Sequence, residues 1–96
     1  MAFDAIMAAY NAFVEAARIE TDAKDVYDDC LQEADAAFAD APYSKFTKIA
    51  EKEADAAYDV YYAATVATRA AYIAYRAESH KAAATEAVEY LRRSAL

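Results

Sequence analysis

Glycine is missing from this 96-residue sequence, proline occurs once, tryptophan not at all, and there is a single cysteine and a single histidine. Each shortage closes a class of structure or chemistry. Glycine supplies the positive-φ turns, the β-bulges and the close backbone approach on which phosphate-cradling loops depend, so dinucleotide, P-loop and nucleophile-elbow motifs are all excluded. Hairpins lose their usual turn residues, and no segment alternates with period two for long, so strands are not expected. Cys30 alone cannot form an intramolecular disulfide, and the opening stretch MAFDAIMAAYNAF lacks the basic flank and unbroken apolar core of a signal peptide. A cytoplasmic setting is expected.

Catalytic and metal chemistry are equally poorly provided for. Glu78 stands two residues before His80, whereas a helical di-metal site needs the pair three apart. The acidic stretch from Asp22 to Asp29 lacks the glycine-turned pattern of a calcium loop. His80 reads as a packed or boundary residue, and a pairing of Cys30 with His80 has no sequence support. The expectation is no enzyme, no metal and no cofactor.

What is present favours helix. Apolar residues make up 59% of the chain, alanine supplies much of that, and the large side chains are chiefly nine tyrosines and four phenylalanines. Ninety-six residues fit one domain, so 1–96 is expected to be a single all-α unit. The most apolar stretch, Val60 to Tyr75, contains one charge, Arg69, and falls short of the roughly 20 apolar residues that a membrane span needs. On a helical wheel Tyr58, Tyr61, Thr65, Thr68, Tyr72 and Tyr75 share one face, with Ala63, Ala64, Ala67, Ala70, Ala71 and Ala74 broadly opposite. That arrangement predicts a central helix whose alanine side is turned inward against a neighbour and whose tyrosines lie at a boundary.

The first helix is expected from Ala2 or Asp4, with a stripe through Phe3, Ile6, Met7, Tyr10, Phe13 and Val14 that continues through Tyr27, Leu31, Ala34 and Phe38. The stripe rotates by about a quarter turn on the way, as a left-handed supercoil would over five heptads. A break between Glu20 and Asp25, capped by Thr21 or Asp22, is the alternative. Pro42 ends that helix and Ser44 can cap the next, so the two should pack antiparallel. The second helix continues to Tyr90, with Ala77 to Ala84 as a candidate interruption. The predicted fold is an antiparallel hairpin of long helices hinged at Pro42, either unbroken, broken into three or four helices, or completed by dimerisation into a four-helix bundle.

The net charge of −7 is uneven: from Glu15 to Asp40 nine acidic residues face two basic ones. Asp22, Asp25, Asp28, Asp29, Glu33 and Asp35 include spacings of three, four and seven, so much of this charge can line one helical side. A plain reading is a solubilising face. The functional reading is an interaction surface that docks on a basic protein groove. In size and charge, though in no motif, the chain resembles the nucleic-acid mimics with which phages block host nucleases or CRISPR complexes. The tyrosine stripe offers core packing, a protein contact or base stacking, and Tyr61 and Tyr72 join the carboxylates as candidate partner-binding residues. The expected partner is a protein with a basic surface or a second copy of the chain, and not nucleic acid or membrane. The rival function is a self-associating structural module.

Overall fold

The computed structural model describes residues 2–95 as two helices, α1 from Ala2 to Asp40 and α2 from Lys45 to Ser94. They pack against each other as an antiparallel hairpin, and no strand occurs among the described residues. Both candidate breaks are continuous helix. Alanine-rich flanks keep helix propensity high there, and neither glycine nor proline intervenes. Thr21 caps nothing and turns its hydroxyl back onto the Ala17 carbonyl, 3.1 Å away.

The reversal occupies Ala41 to Ser44 and includes Pro42. Ser44 caps α2 by accepting the Thr47 amide at 3.1 Å. Thr47, only 1% exposed, donates its hydroxyl to the Ala41 carbonyl at 2.6 Å, with the Ala37 carbonyl also within reach at 3.0 Å. No basic side chain stands in the last turn of α1. One threonine from the opposite helix therefore ties the end of α1 to the start of α2.

Beyond the turn the helices meet along a heptad seam. The buried and half-buried positions of α1 include Ile6, Ala9, Phe13, Ala16, Glu20, Ala23, Tyr27, Cys30, Ala34 and Ala37, with steps alternating between three and four. On α2 the matching row is Thr47, Ala50, Ala54, Ala57, Tyr61, Ala64, Thr68, Ala71, Tyr75, Glu78 and Ala82. A repeat of 3.5 keeps both rows in contact only if the pair winds left-handedly. Most seam residues are alanine, and small residues let the backbones close up. The Thr68 hydroxyl shows how far: it lies 2.9 Å from its own Ala64 carbonyl and 3.0 Å from the Ala16 carbonyl across the seam.

Aromatic rings from seam positions and from positions beside them gather along one side in two groups. Phe13 meets Tyr72 at 5.3 Å and Tyr75 at 6.3 Å, and Tyr10 meets Tyr75 edge-on at 5.5 Å. Nearer the turn, Tyr27 contacts Tyr58 at 5.4 Å and Tyr61 at 6.0 Å. Such pairs contribute about 0.5–1.5 kcal/mol each beyond their burial.

Three expectations change. The tyrosine–threonine face of α2, rather than its alanine side, packs on α1, while Ala63, Ala67, Ala70 and Ala74 are exposed. The physical reason is the close seam: Ala64 and Ala71 suffice at its centre, and the rings cover its edge. On α1 the large residues Phe3, Met7, Tyr10, Val14 and Phe38 stay substantially exposed because alanines beside them hold the seam positions. His80 is exposed and not packed.

The result is a rod of 79 × 15 × 14 Å whose radius of gyration, 22.2 Å, far exceeds the ~12 Å of a compact domain of this length. Among the described residues only Ala34, Ala54, Ala64 and Thr47 are buried, and of these only Thr47 completely. Past Ala82 the seam ends: Ala83 to Ala95 are all exposed, and the next seam positions are the polar Thr85, Glu89 and Arg92.

Overpacking the seam tests its assignment. Ala64→Leu should destabilise the hairpin by about 1–3 kcal/mol in urea titrations, whereas Ala39→Leu on the exposed face of α1 should stay within about 0.5 kcal/mol. Thr47→Val, which removes the hydroxyl from a buried site beside the Ala41 carbonyl, should cost about 1–3 kcal/mol. A loss below 0.5 kcal/mol there would contradict the role given to the turn.

Candidate interaction surfaces

The heptad that builds the seam also decides where the charges go. Glu15, Asp22 and Asp29 repeat at seven residues on the side of α1 away from α2, and Asp25, Asp28, Glu33 and Asp35 fill the turns around them. Of these only Asp28 is half-buried. Arg18 bridges Glu15 at 2.6 Å and Asp22 at 2.8 Å, and Lys24 meets Asp28 at 3.0 Å. Both are local pairs within α1. Among the described residues Asp25, Asp29, Glu33 and Asp35 make no ion pair, and none crosses from α1 to α2.

The two helices are electrically unlike. α1 carries ten acidic and two basic side chains, a balance of −8, against seven acidic and eight basic on α2, a balance of +1. The Arg18 guanidinium hydrogen-bonds Glu15 and holds its carboxyl below the ordinary 4.5, with direct charge attraction as the second cause. Lys24 is held above its ordinary value, first by its hydrogen bond to Asp28 and then by that carboxylate's charge. Both pairs are solvent-exposed, so their contribution to stability is small.

The two candidate tyrosines differ in their distance from the carboxylates. Tyr61 is half-buried in the seam against Tyr27, so its ring already has an internal partner. Tyr72 lies at the seam's edge opposite Phe13, 43% exposed, with the Arg76 guanidinium carbon 5.9 Å above its ring. Phe13 precedes Asp22 by nine residues, about two and a half turns, so Tyr72 lies away from the carboxylates, whereas Tyr61, against Tyr27, sits at the level of Asp25 and Asp28.

A second surface was not foreseen. Phe46, Ile49, Ala56, Val60, Ala63, Ala67, Ala70, Ala74, Ala77, Ala84, Val88 and Leu91 share one outer face of α2, all of them exposed. Beside it a groove of ≈ 290 Å³ runs between the helices, lined by Ile19, Ala23 and Val26 of α1 and Ala57 and Val60 of α2, with Asp22 at its rim. The signal was in the sequence, since these positions also alternate three and four. Alanine on every side of α2 hid it.

Among the described residues no group of three or more His, Cys, Asp or Glu is placed to hold a metal ion, and no helix is long and apolar enough to cross a membrane. The free thiol of Cys30 sits half-buried in the seam. No protein-family description, no curated protein and no solved structure matches the chain.

The Arg18 cluster yields a pH test. A depressed folded-state pKa means that the pair's contribution is present above about 4.5 and lost as pH falls through the lower value. In an NMR titration Glu15 should protonate at lower pH than an ordinary glutamate, and Arg18→Gln should return it to the ordinary range. An unmoved titration in Arg18→Gln would refute the pairing.

Proposed function

We propose that the chain is a helical interaction module that acts by docking the outer face of α1 on a basic protein surface, thereby inhibiting or regulating its partner. The observation that carries this reading is the row of carboxylates on α1 that finds no counter-charge on α2. Desolvating such a row is unfavourable unless cations meet it, so a basic groove is the surface that it fits. Attraction at longer range is weak, because physiological salt screens charges over about 8 Å.

Charge density sets the limits of the likeness to nucleic acid. From Glu15 to Asp40 the net −7 spreads over about 37 Å at 1.5 Å per residue, roughly one charge per 5 Å. Duplex DNA carries one per about 1.7 Å and a single strand one per about 3.4 Å. α1 is therefore nearer in density to a single strand, and a partner that grips a narrow track of charge suits it better than one that encloses a duplex. A nucleic-acid partner is disfavoured by repulsion. The rival reading, a self-associating module, draws on the apolar outer face of α2.

A pull-down against nucleic-acid-binding enzymes tests the proposal with the wild type and with a variant carrying Asp25→Asn, Asp28→Asn, Asp29→Asn and Asp35→Asn together. Binding that is salt-sensitive and at least about tenfold weaker in the variant is expected, on the order of 0.4 kcal/mol or more per charge removed. Binding to such enzymes that is unchanged in the variant would overturn it.

A further inference from the structure

The apolar face of α2 has a symmetry of its own. Between Phe46 and Leu91 its three-and-four row is interrupted by charge at just two positions, Glu53 and Lys81, both exposed and neither in an ion pair among the described residues. These two lie fourteen residues on either side of Ala67. Phe46 and Val88 are likewise twenty-one residues on either side of it.

We infer that a second copy of this chain covers this face, the two α2 helices crossing antiparallel about a two-fold axis near Ala67 to make a four-helix assembly. In an isologous contact residue i meets j and j meets i. Such an axis places Glu53 of each copy within about one turn of Lys81 of the other, so the two charges of the row neutralise each other twice. A parallel pairing would instead set Glu53 against Glu53 and Lys81 against Lys81, which like-charge repulsion opposes. The alanines from Ala56 to Ala77 would allow the same close approach that joins α1 to α2, and Val60 with the groove formed by Ile19 and Val26 extends the apolar area to the edge of α1.

The rod as a whole, acidic and apolar faces together, exposes more area than a compact chain would. The chain presents 7364 Å² to solvent. A compact monomer of this mass would expose about 5,400 Å². The excess of roughly 1,900 Å² more than covers the ~800 Å² per partner that a stable interface removes. This inference rests on the apolar face of α2 and the groove beside it, and is independent of the docking role proposed for the carboxylates of α1.

Sedimentation equilibrium of the wild type, Glu53→Lys, Lys81→Glu and the double variant tests it. The wild type should reach twice the 10.5 kDa chain mass. Each single reversal should raise the dissociation constant about tenfold, and the double variant should return it to within about threefold of wild type. In a Cys30→Ala, Ala67→Cys chain, mild oxidation should give a disulfide-linked dimer, while Cys30→Ala, Ala87→Cys should not. The fourfold α1 Asp→Asn variant should dimerise as the wild type does, which separates this outcome from that of the docking test. A mass that stays monomeric near millimolar concentration, or a dimer indifferent to the single reversals, would overturn the inference.

Discussion

The rest of the structure depends on how closely two backbones approach along a row of alanines. A threonine hydroxyl on α2 reaches a carbonyl of α1 at 3.0 Å, a distance that longer seam residues at Ala16 or Ala64 would not permit. Close approach brings the Phe13 and Tyr27 rings of α1 against the tyrosines of α2 along one side of the seam. It also aligns the register over the whole length, from Thr47 against Ala37 at the turn to Tyr75 against Tyr10. Because register in a seam fixes which face of each helix points away, the same contact decides where the charges and the remaining apolar residues emerge.

A hairpin built this way has little interior. Each alanine removes little area from water, at about 25 cal/mol per Å², so stability comes from high helix propensity, ring pairs at the seam's edge and the threonine latch at the turn. The absence of glycine and the single proline serve the same end, since a rod with one reversal needs only one helix stop. Two faces remain unsatisfied. One is acidic and suits a basic protein; the other is apolar, almost free of charge, and suits a copy of itself.

Much of this was legible before the structure. Pro42 and Ser44 marked the reversal and the cap, the 3.5-residue drift along α1 pointed to supercoiling, and the row from Ala54 through Tyr61, Thr68 and Tyr75 lay on one face of α2. The inward side of the Val60–Tyr75 segment was not legible. Size argues that tyrosines should need room at a boundary, but the seam needs small residues only at its centre, so rings at its edge pack well while Ala63 and Ala70 face out. On α1, Phe3, Met7 and Val14 outweigh Ala9 and Ala16 in any hydrophobicity count, although the alanines hold the seam. Alanine suits both a helix surface and a close contact, and a sequence so rich in it gives weak contrast between faces.

Spacing alone placed much of the charge of Asp22, Asp25, Asp28, Asp29, Glu33 and Asp35 on one side of α1, and the hairpin turns Asp22, Asp25 and Asp29 outward, while Glu33 and Asp35 lie on either side of the seam residue Ala34. Their function stands on the docking proposal. The central physical claim, a small-residue seam in one register, is tested most directly by isotope-filtered NOE spectroscopy that separates contacts within a chain from those between copies. Intrachain NOEs are expected from Ala16 to Thr68, from Phe13 to Tyr72 and from Tyr27 to Tyr58. NOEs that place Phe13 against Tyr58 or Tyr61, or that join Ala16 to Ala63 and Ala70 instead of Thr68, would contradict it.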